Sequence, residues 1–355
     1  MHLNPYIFIF FHHDEIILWD YKRHQQFAIN KDYANRLTEF VEEPIFQPDN
    51  LIDQEFLKEG ILVENLPEIS KWEWDIISQI YHIGTQDAPI AHSIDNFDHF
   101  IEEYVQFCEA HADNVAEIHT EKEGPIFNLP TPNLDYLNNT TLLTALTERM
   151  TSRFFYQESL SMEEVSNLLY ATFGEIHGPW KDLESLGLRV LSKRKSSPSA
   201  GGLHASEAYI LAMNVTGLPS GVYHYRSHQH VLSLVSSEFN TSQLGRLLGG
   251  QKFAETMPLG IFITSRFDKL WDKYQHSRAY RLSLLDIGHL SQTFQLCTTA
   301  MGLESWLTGV FLDAEVNQLL KIENTSEQVM FFVGAGKGKR SFLDEKTLNF
   351  IKRKK

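Results

Sequence analysis

The sequence predicts an α+β protein with two domains, and three observations lead to this prediction. Short apolar runs typical of strands alternate with two capped helical patterns in the first 64 residues. A stretch rich in Pro and Asn, 121–139, separates this region from the rest of the chain. A segment that is apolar nearly all round, 277–301, indicates a long buried helix. We therefore expect a first domain at 1–120, a linker at 121–139 and a second domain at 140–350.

Composition and charge limit the class of protein. A chain of 355 residues with 43% hydrophobic and 22% charged residues is typical of a folded protein. Its net charge of −15 argues against nucleic acid as a partner, since binding phosphates needs a basic surface. Two cysteines without a CxxC pair, Cys108 and Cys297, and no HExxH spacing predict neither a disulfide framework nor a metal site. With no signal peptide pattern or membrane-length run, we expect a cytoplasmic protein without a membrane partner.

The first domain is similar to a winged-helix unit. Two apolar runs, Tyr6–Phe11 and Glu15–Tyr21, flank a turn and predict a hairpin, and short strands are expected at Gln26–Ile29 and Ile61–Glu64. Asn30 and Asn50 can each cap a helix. Because no helix here is basic, DNA recognition is not expected. Small domains of this kind can bind a peptide at a sheet edge, and a plain structural appendage is an equally good interpretation.

The remainder of the first domain predicts helices. Trp72–Tyr81 and Asn96–His111 are helical in pattern. The apolar residues of the first of these segments are expected in a core or an interface: Trp72, Trp74, Ile76, Ile77 and Ile80.

The second domain begins with a helix near Leu142–Met150. A capping box, Ser161 with Glu164, precedes a helix at Glu163–Phe173. Strands are expected at five places: Glu207–Met213, Val222–Tyr225, Val231–Val235, Leu259–Thr264 and Gln328–Val333. Cys297 is expected to be a buried small hydrophobe.

Three basic clusters are candidate contacts for an anion. Lys193–Lys195 precede a Ser/Gly-rich turn, Ser196–Gly202, whose small residues let backbone N–H groups approach a ligand. Arg149, Thr151 and Arg153 alternate, and two guanidinium groups with a hydroxyl can grip a phosphate. Lys337, Lys339 and Arg340 form the third cluster. The neighbouring run Gly334–Gly338 is not a P-loop, because it has no Lys-Ser/Thr pair. Together the clusters favour a bound phosphate monoester.

Two further pairs stand near the predicted long helix. Lys273 and Tyr274 could form an acid/base pair, or could be surface and packing residues. Asp286 and His289 are three residues apart and share a helix face, where an internal polar network is expected.

Several motifs together resemble SagB-type dehydrogenases, which are flavin-dependent members of the nitroreductase superfamily acting on ribosomally made peptides. The motifs are Ser197-Pro-Ser-Ala-Gly-Gly-Leu-His204, Glu207-Ala-Tyr209, Gly221-Val-Tyr-His-Tyr225, Ser277-Arg-Ala-Tyr-Arg-Leu282, the run Asp286–Phe294 and the run Gly302–Gly309. Arg149-x-Thr-x-Arg153 is similar to the nitroreductase phosphate element. Arg266-Phe-Asp with Lys273-Tyr274 most resembles the subgroup of peptide maturation dehydrogenases.

The resemblance implies a nitroreductase-like α+β fold, with a central mixed sheet flanked by helices and one long buried helix. It also implies FMN bound at a homodimer interface. Arg149, Thr151, Arg153, Lys337 and Arg340 would contact the FMN phosphate. Ser197, Ser199, Ala200, Gly201 and Gly202 would lie along the isoalloxazine, which lowers the basic triplet Lys193–Lys195 to a supporting role. Trp306, Leu307, Thr308 and Gly309 would lie near the far side of the ring.

The function that the resemblance implies is oxidation of a thiazoline or oxazoline ring to a thiazole or oxazole. Lys273 and Tyr274 would be the catalytic pair. Expected partners are a precursor (leader) peptide and a cyclodehydratase complex. Two alternatives stay open: NAD(P)H-dependent reduction of dehydrated residues or of nitro and quinone compounds, and a non-catalytic scaffold in a peptide-modifying complex.

Overall fold

The structure is a computed structural model of the chain, and it describes residues 1–66, 72–87, 98–99, 101–103, 105–106, 119–177 and 194–354. The contacts divide it into two compact units, Met1–Ala91 and His92–Lys355. Cys108 and Lys193 lie outside the described residues, as does most of the predicted helix Asn96–His111. None of the helices in the described ranges combines the length and apolar character needed to cross a bilayer.

The described residues of the first unit form two small sheets and three helices. Its strands are β1 (His2–Leu3), β2 (Ile7–His12), β3 (Glu15–Asp20), β4 (Gln25–Ile29) and β5 (Leu62–Val63), and its helices are α1 (Lys31–Glu42), α2 (Leu51–Lys58) and α3 (Ile76–Gly84). Strands β2, β3 and β4 form an antiparallel sheet in that order, and β1 pairs with β5. The predicted hairpin and both predicted caps are present: Asn30 and Asn50 accept N–H groups of the first turns of α1 and α2.

A buried ion pair joins the first two helices of this unit. Arg36 on α1 donates two hydrogen bonds to Asp53 on α2, at 2.6 and 2.7 Å, and Asp53 also accepts the Gln47 N–H at 2.8 Å. These contacts lower the pKa of Asp53, because the Arg36 hydrogen bonds outweigh the cost of burying its charge. An apolar cluster that includes Leu18, Phe40 and Phe56 packs beside the pair.

The tryptophan-rich segment differs from its prediction. Helix α3 begins at Ile76 with Asp75 as its cap, four residues later than expected. Trp74, Ile76 and Ile77 are 77, 57 and 75% exposed and are not core residues of this chain.

The second unit contains seven strands and eight α-helices in the described residues. The strands are β6 (Ile126–Asn128), β7 (Ser206–Ala212), β8 (Gly221–Arg226), β9 (Val231–Ser236), β10 (Leu259–Arg266), β11 (Glu304–Thr308) and β12 (Glu327–Gly336). The helices are α4 (Asp135–Asn138), α5 (Leu142–Glu148), α6 (Met162–Phe173), α7 (Leu244–Leu247), α8 (Phe267–Lys273), α9 (Ala279–Ala300), α10 (Asp313–Leu319) and α11 (Glu345–Lys354). Ser161 and Glu164 form the predicted capping box of α6.

The seven strands form one sheet in the order β11-β12-β10-β7-β8-β9-β6. Neighbouring strands pair antiparallel, and parallel pairing among the described residues occurs at isolated bridges such as Thr151 with Ser305. The segment 121–139, expected to be a linker, supplies the edge strand β6. This large sheet with helices has the predicted α+β class, although its strands in the described residues pair antiparallel where a mixed sheet was expected.

Helix α9 packs with α6 on one face of this sheet. Ile287, Leu290 and Phe294 of α9 belong to the apolar cluster on that face, and so does Cys297, which is buried as predicted. A second cluster covers the opposite face and includes Phe262, Trp306 and Phe332. Burial of α9 is less complete than the sequence predicts, because Leu284 and Leu285 are 46 and 53% exposed.

Candidate active site

The Ser/Gly-rich loop before β7 is held against α9 by Asp286. The Ser199 hydroxyl donates to one Asp286 oxygen at 2.5 Å, and the Ala200 N–H donates to the other at 3.0 Å. The Ser199 oxygen in turn accepts the His204 N–H at 3.0 Å. Ala200–Gly202 form a short 3-10 turn, with Gly201 at φ +58°. The backbone of the predicted ring-binding loop is therefore fixed at both ends of Ser199–His204.

A second contact joins the same loop to α9. The hydroxyl groups of Ser197 and Thr293 lie 2.6 Å apart, and Ser197 also donates weakly to the His289 carbonyl oxygen at 3.4 Å. Asp286 and Thr293 lie two turns apart, so α9 fixes two separate points of the loop. The internal polar network expected for Asp286 is thus a link between the helix and this loop.

Lys273 and Tyr274 meet at the loop's glycine. Lys273 ends α8, and its Nζ lies 3.5 Å from the Gly201 carbonyl oxygen. A Cβ at Gly201 would lie 2.7 Å from Lys273 Nζ and 2.7 Å from the Tyr274 hydroxyl oxygen. Both polar groups therefore approach Gly201 more closely than any larger residue would permit. The structure brings the predicted catalytic pair to the predicted ring-binding loop.

Two acidic groups of this site have perturbed proton affinities. Burial raises the pKa of Tyr274, and the nearby charge of Asp286 raises it further. Burial also raises the pKa of Asp286, against the effect of its hydrogen bonds from Ser199 and Ala200. The Tyr274 phenol thus keeps its proton at neutral pH and can act as a proton donor or a hydrogen-bond donor.

The two predicted phosphate clusters lie side by side. Residues 151–156 run beside the chain that follows β12: the Arg153 N–H donates to the Ser341 carbonyl at 2.7 Å, and the Tyr156 N–H donates to the Lys337 carbonyl at 2.8 Å. The Ser152 hydroxyl bonds the Lys339 carbonyl at 2.8 Å. Segments that are nearly 190 residues apart in sequence are therefore adjacent in space.

Some of the Lys and Arg side chains in these two clusters pair with a carboxylate, and others do not. Arg340 is ion-paired with Glu148, and Lys337 lies 3.9 Å from Glu158. Arg153 donates to the Phe342 carbonyl oxygen, and no carboxylate within the described ranges pairs with it. In the described part of the chain, Arg149 has no ion-pair partner. Arg149 and Arg153 are therefore the cations best able to receive an anion here.

The Thr151 hydroxyl connects this basic region to α9. It accepts a long hydrogen bond from Gln295 at 3.4 Å. Gln295 lies nine residues after Asp286, so about 13 Å of helix separates the two contacts. The region from Arg149 to Gly201 suits an elongated ligand with an anionic end, and the donor set of guanidinium groups, a hydroxyl and a glycine turn fits FMN.

The residues predicted to lie near the far side of the ring, on and just after β11, point to different faces of the sheet. Leu307 packs against the apolar cluster on the α9 face, whereas Thr308 accepts a long hydrogen bond from Gln251 at 3.4 Å. Gly309 lies beside the Phe331 ring. Trp306 is 1% exposed and packs between Phe253 and Phe332 on the opposite face of the sheet. The expectation that Trp306 lies near the far side of the ring is corrected, since its side chain is buried in the core.

A charged cluster beside the loop was not predicted. Glu207 accepts the Thr120 hydroxyl at 2.8 Å and lies 3.1 Å from His224 Nε2. Burial raises the pKa of Glu207, but His224 and the positive charges of Lys269 and Lys195 outweigh it and lower the pKa to about 2. Lys195, with Nζ 3.1 Å from the Ser227 hydroxyl, belongs to this cluster and not to the basic region around Arg149. The one feature of the sequence that indicated this charged cluster is Glu207, a charged residue in an otherwise apolar strand.

Two neighbouring cavities share part of this cluster. One, lined mostly by polar groups, has about 400 Å³ of empty space and includes Glu175, Lys195, Glu207 and Lys269 in its lining. The other has about 270 Å³, is lined mostly by apolar groups, and includes Ser199 and Asp286. Both are lined by Lys195, His204 and Ser206, so the two cavities adjoin between the charged cluster and the loop.

Known proteins are similar to this chain in sequence and fold. A nitroreductase-like protein of Methanocaldococcus jannaschii, MJ1384, is 25% identical over 202 residues, which are 56% of this chain and 92% of that protein. The trifolitoxin-processing protein TfxB of Rhizobium leguminosarum bv. trifolii is 29% identical over 143 residues, 39% of this chain and 38% of TfxB. A solved nitroreductase structure from Anabaena variabilis matches with a TM-score of 0.50 and 25% identity, covering 61% of this chain and 42% of that one.

The chain thus spans well under half the length of TfxB and of the Anabaena protein. Residues 146–337, more than half of the chain, match the Nitroreductase family, a family of oxidoreductases that generally use FMN. This chain belongs to the Nitroreductase family.

Proposed function

We propose that this chain is an FMN-dependent dehydrogenase of the SagB type that oxidises a thiazoline or oxazoline in a ribosomally made peptide. The observation that supports it most is the approach of Lys273 Nζ and the Tyr274 hydroxyl to Gly201, within the loop that Asp286 holds. The 29% identity to a trifolitoxin-processing protein supports a peptide substrate. An azoline becomes an azole by losing a proton and a hydride, so the reaction needs a group that takes the proton.

Each part of the site has a role in this proposal. FMN, when bound, supplies the two-electron redox chemistry. Arg149, Thr151 and Arg153 bind its phosphate, and the turn Ala200–Gly202 leaves room for a flat ring. Lys273 takes the substrate's proton next to Gly201, and Tyr274, which keeps its own proton, orients the substrate by donating a hydrogen bond there. Lys337 and Arg340, which are paired with Glu158 and Glu148, contribute less to phosphate binding.

Purification under mild conditions tests the proposal. The protein should be yellow, and it should consume oxygen while an azoline-containing peptide loses two mass units. Lys273→Ala and Tyr274→Phe should each lower kcat by about a hundredfold while the protein still binds FMN. A colourless, flavin-free protein with full activity would falsify the proposal. Flavin-free protein without activity, which still binds the modifying complex, would favour the scaffold alternative.

Reduction is the second candidate, because family membership itself points to reductases. A reductase would oxidise NAD(P)H in the presence of a dehydrated peptide, a nitro compound or a quinone. Parallel assays of NADPH oxidation and oxygen consumption, on the same flavin-loaded sample, distinguish the two directions of reaction.

We also propose that the first unit binds the precursor's leader peptide. Strand β4 is an edge of the sheet β2-β3-β4 within the described residues, and a groove of about 760 Å³ lies beside it. Its floor is apolar, with Leu18, Phe27 and Phe56, and Glu55 and Glu59 line it as well. A peptide strand added along β4, with an apolar side chain followed by a basic one, would complement this groove.

Binding of a synthetic leader peptide to the full chain tests this part. Ala28 lies on β4, is exposed and lines the groove, so Ala28→Arg should weaken leader binding at least tenfold. Phe11→Arg is a matched control on the opposite edge strand, where Phe11 is 79% exposed. Equal loss in both variants, or no leader binding by the unmodified chain, would contradict a groove site.

A further inference from the structure

We infer that Asp286 is a positioning residue for this site: it holds the Ser199–His204 loop where Lys273 and Tyr274 can work beside Gly201. This inference rests on the proposed function for its effect on turnover. The contacts that carry it belong to the chain itself and are independent of any ligand.

Among the described residues, Asp286 is the side chain that accepts hydrogen bonds from two loop donors. Asp286 is 5% exposed, and its two oxygens accept the Ser199 hydroxyl and the Ala200 N–H. A hydroxyl has one proton, so a Ser199 that donates to Asp286 must present its lone pairs elsewhere, and it receives the His204 N–H. Asp286 thereby fixes both ends of the turn through one carboxylate.

The turn leaves little freedom for the catalytic pair. The Gly201 carbonyl is the atom that Lys273 Nζ approaches, and Gly201 is the second residue after Ser199. If the turn moved by 1 Å, the space between Gly201, Lys273 and Tyr274 would change by a similar amount. Misplacement of this size at a reacting centre can cost about a hundredfold in rate.

A charge effect adds to the positional one. Burial raises the pKa of the Tyr274 phenol and the charge of Asp286 raises it further, so the residue that fixes the turn also helps Tyr274 to remain a hydrogen-bond donor. The nearby polar contact between Ser197 and Thr293 has no such effect on the pair, which makes it a useful comparison.

Hydrogen exchange of the full chain tests the structural half of the inference. In Asp286→Ala and in Ser199→Ala, the amides of Ala200 and His204 should exchange at least tenfold faster than in the unaltered chain, without faster exchange in β10. Ser199 is only partly buried, so Ser199→Ala gives an answer even if Asp286→Ala does not fold. Thr293→Ala, which removes the other contact between α9 and the loop, should leave these two amides protected. Unchanged exchange in the first two variants overturns the inference.

Kinetics of the flavin-loaded protein test the other half. Asp286→Ala and Ser199→Ala should each lower kcat at least tenfold with KM and FMN affinity changed less than threefold. The double variant should lose no more than the worse single one, since both remove the same link. Additive losses, a loss confined to FMN affinity, or an equal loss in Thr293→Ala would overturn the positioning role. If the flavin-loaded chain did not oxidise the azoline peptide, the proposed function would be wrong. The exchange experiment would still decide whether Asp286 holds the loop.

Discussion

Lys273 Nζ lies 3.5 Å from the carbonyl oxygen of Gly201, a residue at which an added Cβ would meet both members of the catalytic pair. We therefore expect Gly201→Ala to displace Lys273 and Tyr274, because the new Cβ would lie 2.7 Å from a polar atom of each. kcat for azoline oxidation should fall about ten- to a hundredfold. Steady-state kinetics at saturating FMN measure this.

Gly302→Ala is the matched control for that change. Gly302 has φ +70°, close to the +58° of Gly201, but a Cβ there would meet no atom within 4 Å. Both variants should lose about 1 kcal/mol of stability from the left-handed backbone. Only Gly201→Ala should lose turnover, and an equal kinetic loss in both would refute crowding as the cause.

Arg149 should contribute more to FMN binding than Arg340 does. Arg149 has no carboxylate partner among the described residues, whereas Arg340 is already paired with Glu148. Arg149→Ala should weaken FMN binding about ten- to a hundredfold, because a charge-assisted contact to phosphate is lost. Flavin fluorescence titration of the apoprotein measures both affinities.

Riboflavin provides the control for the phosphate interpretation. It carries the ring without the phosphate, so its affinity should be nearly the same in the unaltered chain and in Arg149→Ala. If riboflavin binding weakened as much as FMN binding, Arg149 would contact the ring or support the fold instead.

The sequence predicts those parts of the candidate site in which the chemical type of neighbouring residues indicates their role. Arg149 with Arg153 and Lys273 with Tyr274 were recognisable as pairs because their members are neighbours in the chain. The role of Asp286 was not predictable, because its partner Ser199 lies 87 residues away in the sequence. A polar residue on a helix face does not reveal which distant segment it contacts. Trp306 was misplaced for a related reason: strand alternation puts it on the face opposite Leu307, and sequence alone does not say which face meets the ligand.

In the fold, too, features set by local contacts are predictable from the sequence, and features set by long-range pairing are not. Helix caps such as Asn30 and Ser161 depend on local hydrogen bonds and were predicted to the residue. Strand β6 was read as linker because its three residues lie in a Pro-rich stretch, and it forms only by pairing with β9, about 100 residues further on. Long-range pairing of this kind leaves no local pattern.

A second copy of the chain should cover the exposed apolar side of α9. Leu284 and Leu285, neighbours on α9, are 46 and 53% exposed. Neighbouring exposed apolar residues on one helix are common at interfaces. Light scattering after gel filtration should give a dimer, and Leu285→Asp should shift it towards monomer. Trp271→Asp, at a residue 57% exposed on α8, serves as the comparison; a monomeric unaltered chain would contradict the dimer.

Glu207 should make the stability of the chain depend on acid pH. Its pKa is lowered from 4.5 to about 2 in the folded chain, so the folded state binds fewer protons than the unfolded state between these values. The contribution is therefore complete above pH 5 and is lost as the pH falls towards 2. Its size is on the order of 3 kcal/mol. Glu207→Gln should lower the urea midpoint at pH 7, and the difference from the unaltered chain should shrink towards pH 2.

Glu315→Gln is the control for this prediction. Glu315 is paired with Arg246 on the surface, where both side chains are about half exposed, so solvent and salt screen the pair. Its removal should leave the urea midpoint at pH 7 unchanged. The two variants differ in one physical respect, the burial of the carboxylate among Lys195, Lys269 and His224. If Glu207→Gln were as stable as the unaltered chain at pH 7, the charged cluster would not stabilise the fold, and its carboxylate would be free to serve the neighbouring cavity instead.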